Sequence, residues 1–213
     1  MDFEQVKKSV SNYYSEKLNE YGPIPQGVDW NGTDSQVLRF IQLLKILPSD
    51  KQGHTLLDYG CGYGALYDYL EKIGQNADYY GYDISESMIS KAKKLHENIR
   101  ARFMTELSKN VSYDYVVSSG IFNVKLENTP EMWTSYILNI ITDMYNRCQY
   151  GVAFNMLSIY SDPEKRKGNL YYADPNFIFD YCKKYVSEYV SVIHDYPLYE
   201  FTIFVRKQIE SNE

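Results

Sequence analysis

A glycine-rich segment between an apolar run and an amphipathic stretch constrains the fold of this chain more than any other feature. Residues 58–64 have the sequence DYGCGYG and follow an apolar run at 55–58 that is typical of a buried strand. Residues 65–73 then show helical periodicity, and Gly74 follows them. Glycines at such a turn permit unusual backbone angles and a close approach to a ligand. We therefore predict an open α/β sheet with a ligand site beyond the carboxyl end of this strand.

Short apolar runs alternate with amphipathic stretches along most of the chain. Seven runs predict strands, at 55–58, 79–82, 101–104, 113–118, 151–154, 189–194 and 200–206. Helical patterns separate most of these runs, which predicts a mainly parallel sheet with helices on both faces. The short connection between the last two runs requires those two strands to be antiparallel. The first fifty residues carry two helical patterns, and Asp34 or Ser35 is placed to cap the second.

An acidic residue, Asp83, ends the second predicted strand, about 20 residues after Gly64. A carboxylate at that spacing suits the vicinal hydroxyls of a ribose. Nicotinamide dinucleotides and S-adenosylmethionine both contain this ribose, and residues 60–65 satisfy the dinucleotide pattern GxGxxA. The negative charge of Asp58 would repel a pyrophosphate, whereas it would attract a ligand that carries an ammonium and a sulfonium. The sequence thus favours the methyl donor, with a nicotinamide-dependent oxidoreductase as the alternative.

Three segments make the chain similar to the class I S-adenosylmethionine-dependent methyltransferases. They are LDYGCGYG at 57–64, YDISESM at 82–88 and YDYVVSS at 113–119. The similarity spans about residues 52–206 and implies a Rossmann-like three-layer α/β sandwich. The family's sheet has seven strands, mainly parallel, with an antiparallel last strand, and here an N-terminal helical cover precedes it. We expect the cover over residues 1–50 and the donor-binding domain over residues 51–213.

The resemblance also implies which residues contact the donor. Its amino acid end would lie near Asp58, its ribose near Asp83, and its adenine near Ile84 and Met88. We add Arg39, because a guanidinium can hold a carboxylate of the donor or of the acceptor through two hydrogen bonds. The complete set of expected donor contacts is Asp58, Gly60, Gly62, Tyr63, Asp83, Ile84, Met88, Ser119 and Arg39.

The acceptor end carries no recognisable catalytic triad, and methyl transfer needs a base only if the nucleophile must lose a proton. Aromatic and amide side chains of the N-terminal segment and of the later strands are candidates for acceptor contacts, with core packing as the alternative for each aromatic. The expected acceptor contacts are Tyr14, Trp30, Asn155 and Tyr171, and the candidate catalytic groups are His194, Tyr172 and Asn123. Residues 162–168, DPEKRKG, predict an exposed loop or a mobile lid beside the site.

Composition narrows the class of partner. Asp and Glu exceed Lys and Arg by 28 to 22, and the net charge of −6 disfavours binding to nucleic acid and to anionic membrane surfaces.

The three cysteines are scattered and form no CxxC pair, so we expect neither a disulfide framework nor a structural metal. No signal-peptide pattern and no apolar run long enough to span a membrane is present, and we expect a cytoplasmic protein. The sequence does not distinguish a monomer from a homodimer.

The function favoured by these features is transfer of a methyl group from S-adenosylmethionine to an oxygen or nitrogen atom of a small molecule. The acceptor would be a metabolite or an intermediate of a natural-product or surface-glycan pathway. Methylation of a protein or tRNA is one alternative, although it would predict a basic rim. A donor-binding module or partner subunit without transferase activity is the other, although such a subunit usually loses its glycine loop or its ribose-binding acid.

Overall fold

A seven-stranded sheet forms the centre of the protein. The computed structural model describes residues 3–28, 30, 32–48, 53–97 and 101–208, so the predicted domain boundary at 50/51 lies outside the described residues. The strands are β1 (His54–Tyr59), β2 (Ala77–Tyr82), β3 (Arg102–Met104), β4 (Tyr113–Ser118), β5 (Cys148–Leu157), β6 (Tyr189–Ile193) and β7 (Glu200–Arg206).

The strand order is β3-β2-β1-β4-β5-β7-β6. The first five strands pair in parallel, and β7 lies antiparallel between β5 and β6. The predicted sheet is therefore confirmed, including its antiparallel last strand. Strand β5 is longer than the predicted run at 151–154, because its ladder with β7 continues to the pair Leu157 and Glu200.

Six α-helices in the described part of the chain surround the sheet. They are α1 (Phe3–Tyr21), α2 (Thr33–Leu43), α3 (Ala65–Lys72), α4 (Glu86–Leu95), α5 (Pro130–Arg147) and α6 (Pro175–Tyr185). Helix α5 begins as its sequence predicts: the Thr129 hydroxyl accepts from the Met132 N–H, and Pro130 takes the first helical position. The N-cap of α2 is Gly32, two residues before Asp34 and three before Ser35, the two predicted caps, and no side chain caps the helix. The Ser35 hydroxyl instead donates to the Gly32 carbonyl.

Strand β1 shows why both faces of the sheet are covered. Its adjacent side chains Leu56 and Leu57 point to opposite faces, and both are fully buried. Leu57 belongs to the cluster that contains Trp133 of α5, whereas Leu56 belongs to the cluster that contains Phe40 of α2 and Leu70 of α3. Helices α5 and α6 with the first half of α1 thus cover one face, and α2, α3 and α4 cover the other. The three-layer sandwich is confirmed.

Helix α1 is fastened to the turn between β2 and α4. The Ser11 hydroxyl donates to the Ile84 carbonyl at 3.3 Å, and the hydroxyls of Ser15 and Ser85 lie 3.0 Å apart. The N-terminal segment therefore lies beside the carboxyl end of β2, where the candidate ligand residues converge. Its behaviour as a separate cover or lid stays a prediction. No helix in the described part of the chain is both long and apolar enough to cross a membrane.

Candidate functional site

The glycine loop after β1 has the backbone that its sequence predicts. Gly60, Gly62 and Gly64 all have positive φ angles, of 87°, 55° and 93°. A Cβ atom added at Gly60 would lie 2.2 Å from Cγ2 of Ile121, far inside van der Waals contact. The N–H of Gly60 donates to the Tyr82 carbonyl at 2.7 Å, which fixes the loop to the end of β2. Glycine is required here by backbone conformation and by close packing.

Asp83 connects this loop to the start of α4. Its Oδ2 accepts from the Gly62 N–H at 2.9 Å, and its Oδ1 accepts from the Ser85 N–H at 2.8 Å. Burial raises the pKa of Asp83, and these two backbone hydrogen bonds oppose that rise. Each carboxylate oxygen keeps a further lone pair, so the group can still accept from a diol. The cap of α4 is Ser85, whose hydroxyl accepts from the Met88 N–H.

Asp58 is a second acidic group beneath the loop, and it is 3% exposed. Its Oδ2 accepts from the Tyr79 hydroxyl at 2.6 Å. Loss of hydration raises the pKa of Asp58 to about 7, the Tyr79 hydrogen bond lowers it, and the nearby charge of Asp83 raises it. A buried carboxylate of this kind is stabilised by a cationic partner.

A cavity of about 560 Å³, its opening included, lies above the glycine loop, and we call it the first cavity. The expected donor contacts that line it are Asp58, Gly60, Gly62, Tyr63, Asp83, Met88 and Ser119. The Ser119 hydroxyl is buried and has no hydrogen-bond partner within the described residues. A buried polar atom of this kind can be satisfied by a ligand.

An apolar cavity of about 480 Å³ adjoins the first and shares Asp83 and Gly60 with it. Ile84, the expected adenine contact, lies in its wall with Tyr136 and Ile140. The structure thus brings together every expected donor contact except Arg39.

A second cavity of about 860 Å³, its opening included, lies on the other side of the N-terminal segment. Four residues border both this cavity and the first: Tyr14, Val28, Trp30 and Gly120. The other predicted site residues that line the second cavity are Arg39, Asn123 and Tyr172.

Arg39 does not line the first cavity. Its Nε and Nη2 donate to the two carboxylate oxygens of Glu200 at 2.8 and 2.6 Å, and both residues are buried. The guanidinium also lies 3.8 Å from the centre of the Trp30 ring. A Cβ atom on Gly120 would lie 2.2 Å from the same ring. Trp30 is therefore clamped between Arg39 and Gly120, and it forms part of the wall between the two cavities.

Three of the predicted acceptor residues line neither cavity. Asn155 is fully buried, and its Oδ1 accepts from the Gly120 N–H at 2.8 Å, so it supports the loop after β4. The Tyr171 hydroxyl lies 2.8 Å from the Thr134 hydroxyl on α5. His194 is exposed at the end of β6, where its ring contacts aromatic neighbours.

Several residues of the site carried no clear sequence signal. Gly120 follows the predicted serines of β4 directly, and its position after a strand was the one available cue. Glu200 lines the second cavity although it is distant in sequence from the other wall residues. Lys165 and Lys167 also line it: the sequence predicted their loop beside the site as one interpretation, but gave the two lysines no role of their own. Within the described ranges, no group of three or more His, Cys, Asp or Glu side chains could hold a metal ion.

Comparison with known proteins agrees with this geometry. A family model described as a methyltransferase domain matches residues 34–130. A Mycobacterium tuberculosis protein named "Putative methyltransferase Rv1506c" is 45% identical over 155 residues, which cover 72% of this chain and 93% of that protein.

Solved structures share the fold at low sequence identity. Magnesium protoporphyrin IX methyltransferase from Synechocystis PCC 6803, solved with bound S-adenosylmethionine, has a TM-score of 0.62 and 16% identity, covering 98% of each chain. The plantazolicin methyltransferase BpumL, in complex with a triazolic desmethylPZN analog and S-adenosylhomocysteine, has a TM-score of 0.57 and 14% identity, covering 95% of this chain and 98% of that one. Taken with the observed fold, the family-model match and the relative at 45% identity show that this chain is an enzyme and belongs to the class I S-adenosylmethionine-dependent methyltransferases.

Proposed function

We propose that the first cavity and its apolar neighbour hold S-adenosylmethionine, and that the second cavity holds a small acceptor. The methyl group would pass to an oxygen or nitrogen atom of that acceptor. The observation that carries this proposal is the shared wall of Tyr14, Val28, Trp30 and Gly120. Two adjoining cavities allow donor and acceptor to meet in one orientation, and alignment of this kind accelerates a displacement strongly.

The chemistry of the first cavity fits this donor. Asp58 would pair with the donor's ammonium group, because a buried carboxylate gains most from a cationic partner. The unpaired Ser119 hydroxyl would hydrogen-bond the same end of the donor. Asp83 would accept from the ribose hydroxyls through its remaining lone pairs. The apolar walls at Ile84 and Met88 would pack against the adenine.

The residues of this chain orient the reactants and exclude water. When bound, the donor supplies a methyl group that passes in line to the acceptor atom as the sulfur–carbon bond breaks and its electron pair returns to sulfur. The rings of Tyr14 and Trp30 lie between the cavities, where aromatic faces attract a positive charge. Asn123 and Tyr172 supply hydrogen-bonding groups in the second cavity. Asn123 Oδ1 accepts from the Leu157 N–H at 3.0 Å, and an amide does not take up a proton, so Asn123 is a candidate for orienting the acceptor. Tyr172 is the candidate for holding or accepting the acceptor proton. His194 lies outside both cavities and is the weakest of the three candidate groups.

The proposed acceptor class, a metabolite or an intermediate of a natural-product or surface-glycan pathway, draws support from two observations. The second cavity adjoins the first and is lined by Lys165 and Lys167 of the 162–168 loop. Two proteins of the same fold are named as methyltransferases of magnesium protoporphyrin IX and of plantazolicin. A protein or tRNA acceptor is the outcome that would contradict this class.

The test is transfer of an isotopically labelled methyl group from S-adenosylmethionine to fractions of a cell extract. We expect label in the low-molecular-weight fraction that depends on the enzyme and is strongly reduced with Asp58→Asn at limiting donor concentration. Asp180→Asn, which changes an exposed carboxylate on α6, is the matched control and should retain transfer. Label that appears only in the protein or tRNA fraction would contradict a small-molecule acceptor.

A further inference from the structure

The second cavity has an unusual charge for a chain whose net charge is −6. Three cationic side chains line it, Arg39, Lys165 and Lys167, against one carboxylate, that of Glu200. We infer that the acceptor carries an anionic group, a carboxylate or a phosphate, and that Lys167 and Arg39 bind this group in the second cavity. This inference rests on the proposed role of that cavity as the acceptor site.

The positive charges are not equivalent, because two of them already have partners. Arg39 is ion-paired with Glu200, and Lys165 Nζ lies 3.0 Å from the Asp162 carboxylate. The Lys167 ammonium has no partner within the described ranges, although its backbone N–H donates to the Tyr172 hydroxyl at 3.0 Å. One positive charge at the mouth of the cavity is therefore free to attract an anion.

A donor group of Arg39, which lines the cavity, also lacks a partner. Nη1 of Arg39 is buried and bonds to none of the described residues, while Nε and Nη2 hold Glu200. Buried guanidinium N–H groups are rarely left unpaired, because their lost hydration must be replaced. A carboxylate or phosphate oxygen of the acceptor would satisfy this atom, since both bind guanidinium groups through short, charge-assisted hydrogen bonds.

The loop that carries the lysines is fastened in place. Arg166 Nη2 donates to the Ser161 carbonyl at 2.9 Å, and the Leu126 N–H donates to the Asn169 carbonyl at 3.1 Å. Leu170 forms a bridge with Val124, so the far end of the loop is joined to the segment after β4. These contacts hold the lysines at the mouth of the cavity. A charged loop that served only to keep the surface hydrated would not need such contacts.

The test uses the full chain saturated with S-adenosylhomocysteine and titrated with small aromatic compounds in a calorimeter. Benzoate and phenyl phosphate are the anionic probes, and benzamide is the neutral counterpart. We expect one or both anions to bind, more weakly as salt increases, and benzamide to bind at least tenfold more weakly. The preferred anion then distinguishes a carboxylate acceptor from a phosphate acceptor.

Two variants locate the binding site. Lys167→Gln should weaken anion binding by roughly three- to tenfold, an effect limited by its exposure at the cavity mouth. Lys72→Gln removes the same charge from an exposed position on α3, outside both cavities, and should leave anion affinity unchanged. Both variants should bind S-adenosylhomocysteine as the wild type does.

The inference is overturned if benzamide binds as tightly as benzoate, if neither anion binds the loaded protein, or if Lys167→Gln leaves anion affinity intact. Failure of the protein to bind S-adenosylhomocysteine in the first step would instead contradict the proposed function. The two failures are therefore distinguishable in one experiment.

Discussion

Replacement of Asp58 by asparagine is expected to stabilise the unliganded protein while weakening donor binding. Asp58 is buried, and its one hydrogen-bonded side-chain partner in the described structure is the Tyr79 hydroxyl. Its pKa in the folded protein is raised from the ordinary 3.8 to about 7, chiefly by loss of hydration. Asparagine has nearly the same shape, cannot ionise, and can still accept from Tyr79.

The size of the stability change follows from the linkage between the ionisation of Asp58 and folding. A rise of roughly three pKa units at about 1.36 kcal/mol each disfavours the ionised folded state by about 4 kcal/mol. Because the folded pKa lies above the unfolded one, this cost is absent below about pH 4, grows between pH 4 and 7, and is complete above pH 7. Burying the new amide offsets part of the gain, so we expect Asp58→Asn to be more stable by about 2–4 kcal/mol at pH 8.

Denaturant unfolding at pH 8 and pH 5, with calorimetric titration of S-adenosylhomocysteine at pH 8, measures both effects. The stability difference should shrink at the lower pH, and donor affinity should fall by about 1.5–3 kcal/mol with the loss of a charged hydrogen bond. Asp180→Asn removes a carboxylate that is 62% exposed and should change stability by less than about 0.5 kcal/mol. The reasoning is refuted if Asp58→Asn is no more stable than the wild type at pH 8, or binds S-adenosylhomocysteine equally well.

Three further substitutions test the donor site. Asp83→Ala should weaken S-adenosylmethionine binding by about 1.5–3 kcal/mol in calorimetry, and unchanged affinity in a folded variant would exclude a ribose contact. Tyr79→Phe removes the hydrogen bond that lowers the pKa of Asp58, so the pH at which donor affinity is half-maximal should move upward; an unchanged pH profile would contradict this. Gly60→Ala, whose Cβ would lie 2.2 Å from Ile121, should abolish donor binding or lower the melting temperature, and wild-type behaviour in both would contradict the packing.

Much of the fold could be predicted because strand and helix periods are local properties of the sequence. The fourth strand begins and ends as predicted, at Tyr113–Ser118, because aromatic and β-branched residues are concentrated in this short segment and favour a strand. The ends of β5 and the start of α2 were predicted less well. Pairing with β7 lengthens β5, and the Ser35 hydroxyl bonds within the first turn of α2 instead of capping it.

The grouping of acids and glycines around the first cavity could also be predicted, because they lie on two neighbouring strands and their loops, while their contact with the donor stays a prediction. The acceptor side could not. Arg39 and Glu200 are 161 residues apart in sequence, and nothing local to either residue indicates that they meet. The contact between Trp30 and Gly120 is equally non-local. His194 was selected by residue type alone, and the fold places it away from both cavities.

The most direct test of the central claim is calorimetric titration of the wild-type protein with S-adenosylmethionine, S-adenosylhomocysteine and NAD. We expect one molecule of either sulfur-containing ligand to bind per chain, and NAD not to bind, because Asp58 opposes a pyrophosphate. Binding of NAD, or failure of both sulfur-containing ligands to bind the folded chain, would contradict the assignment of the first cavity as the donor site.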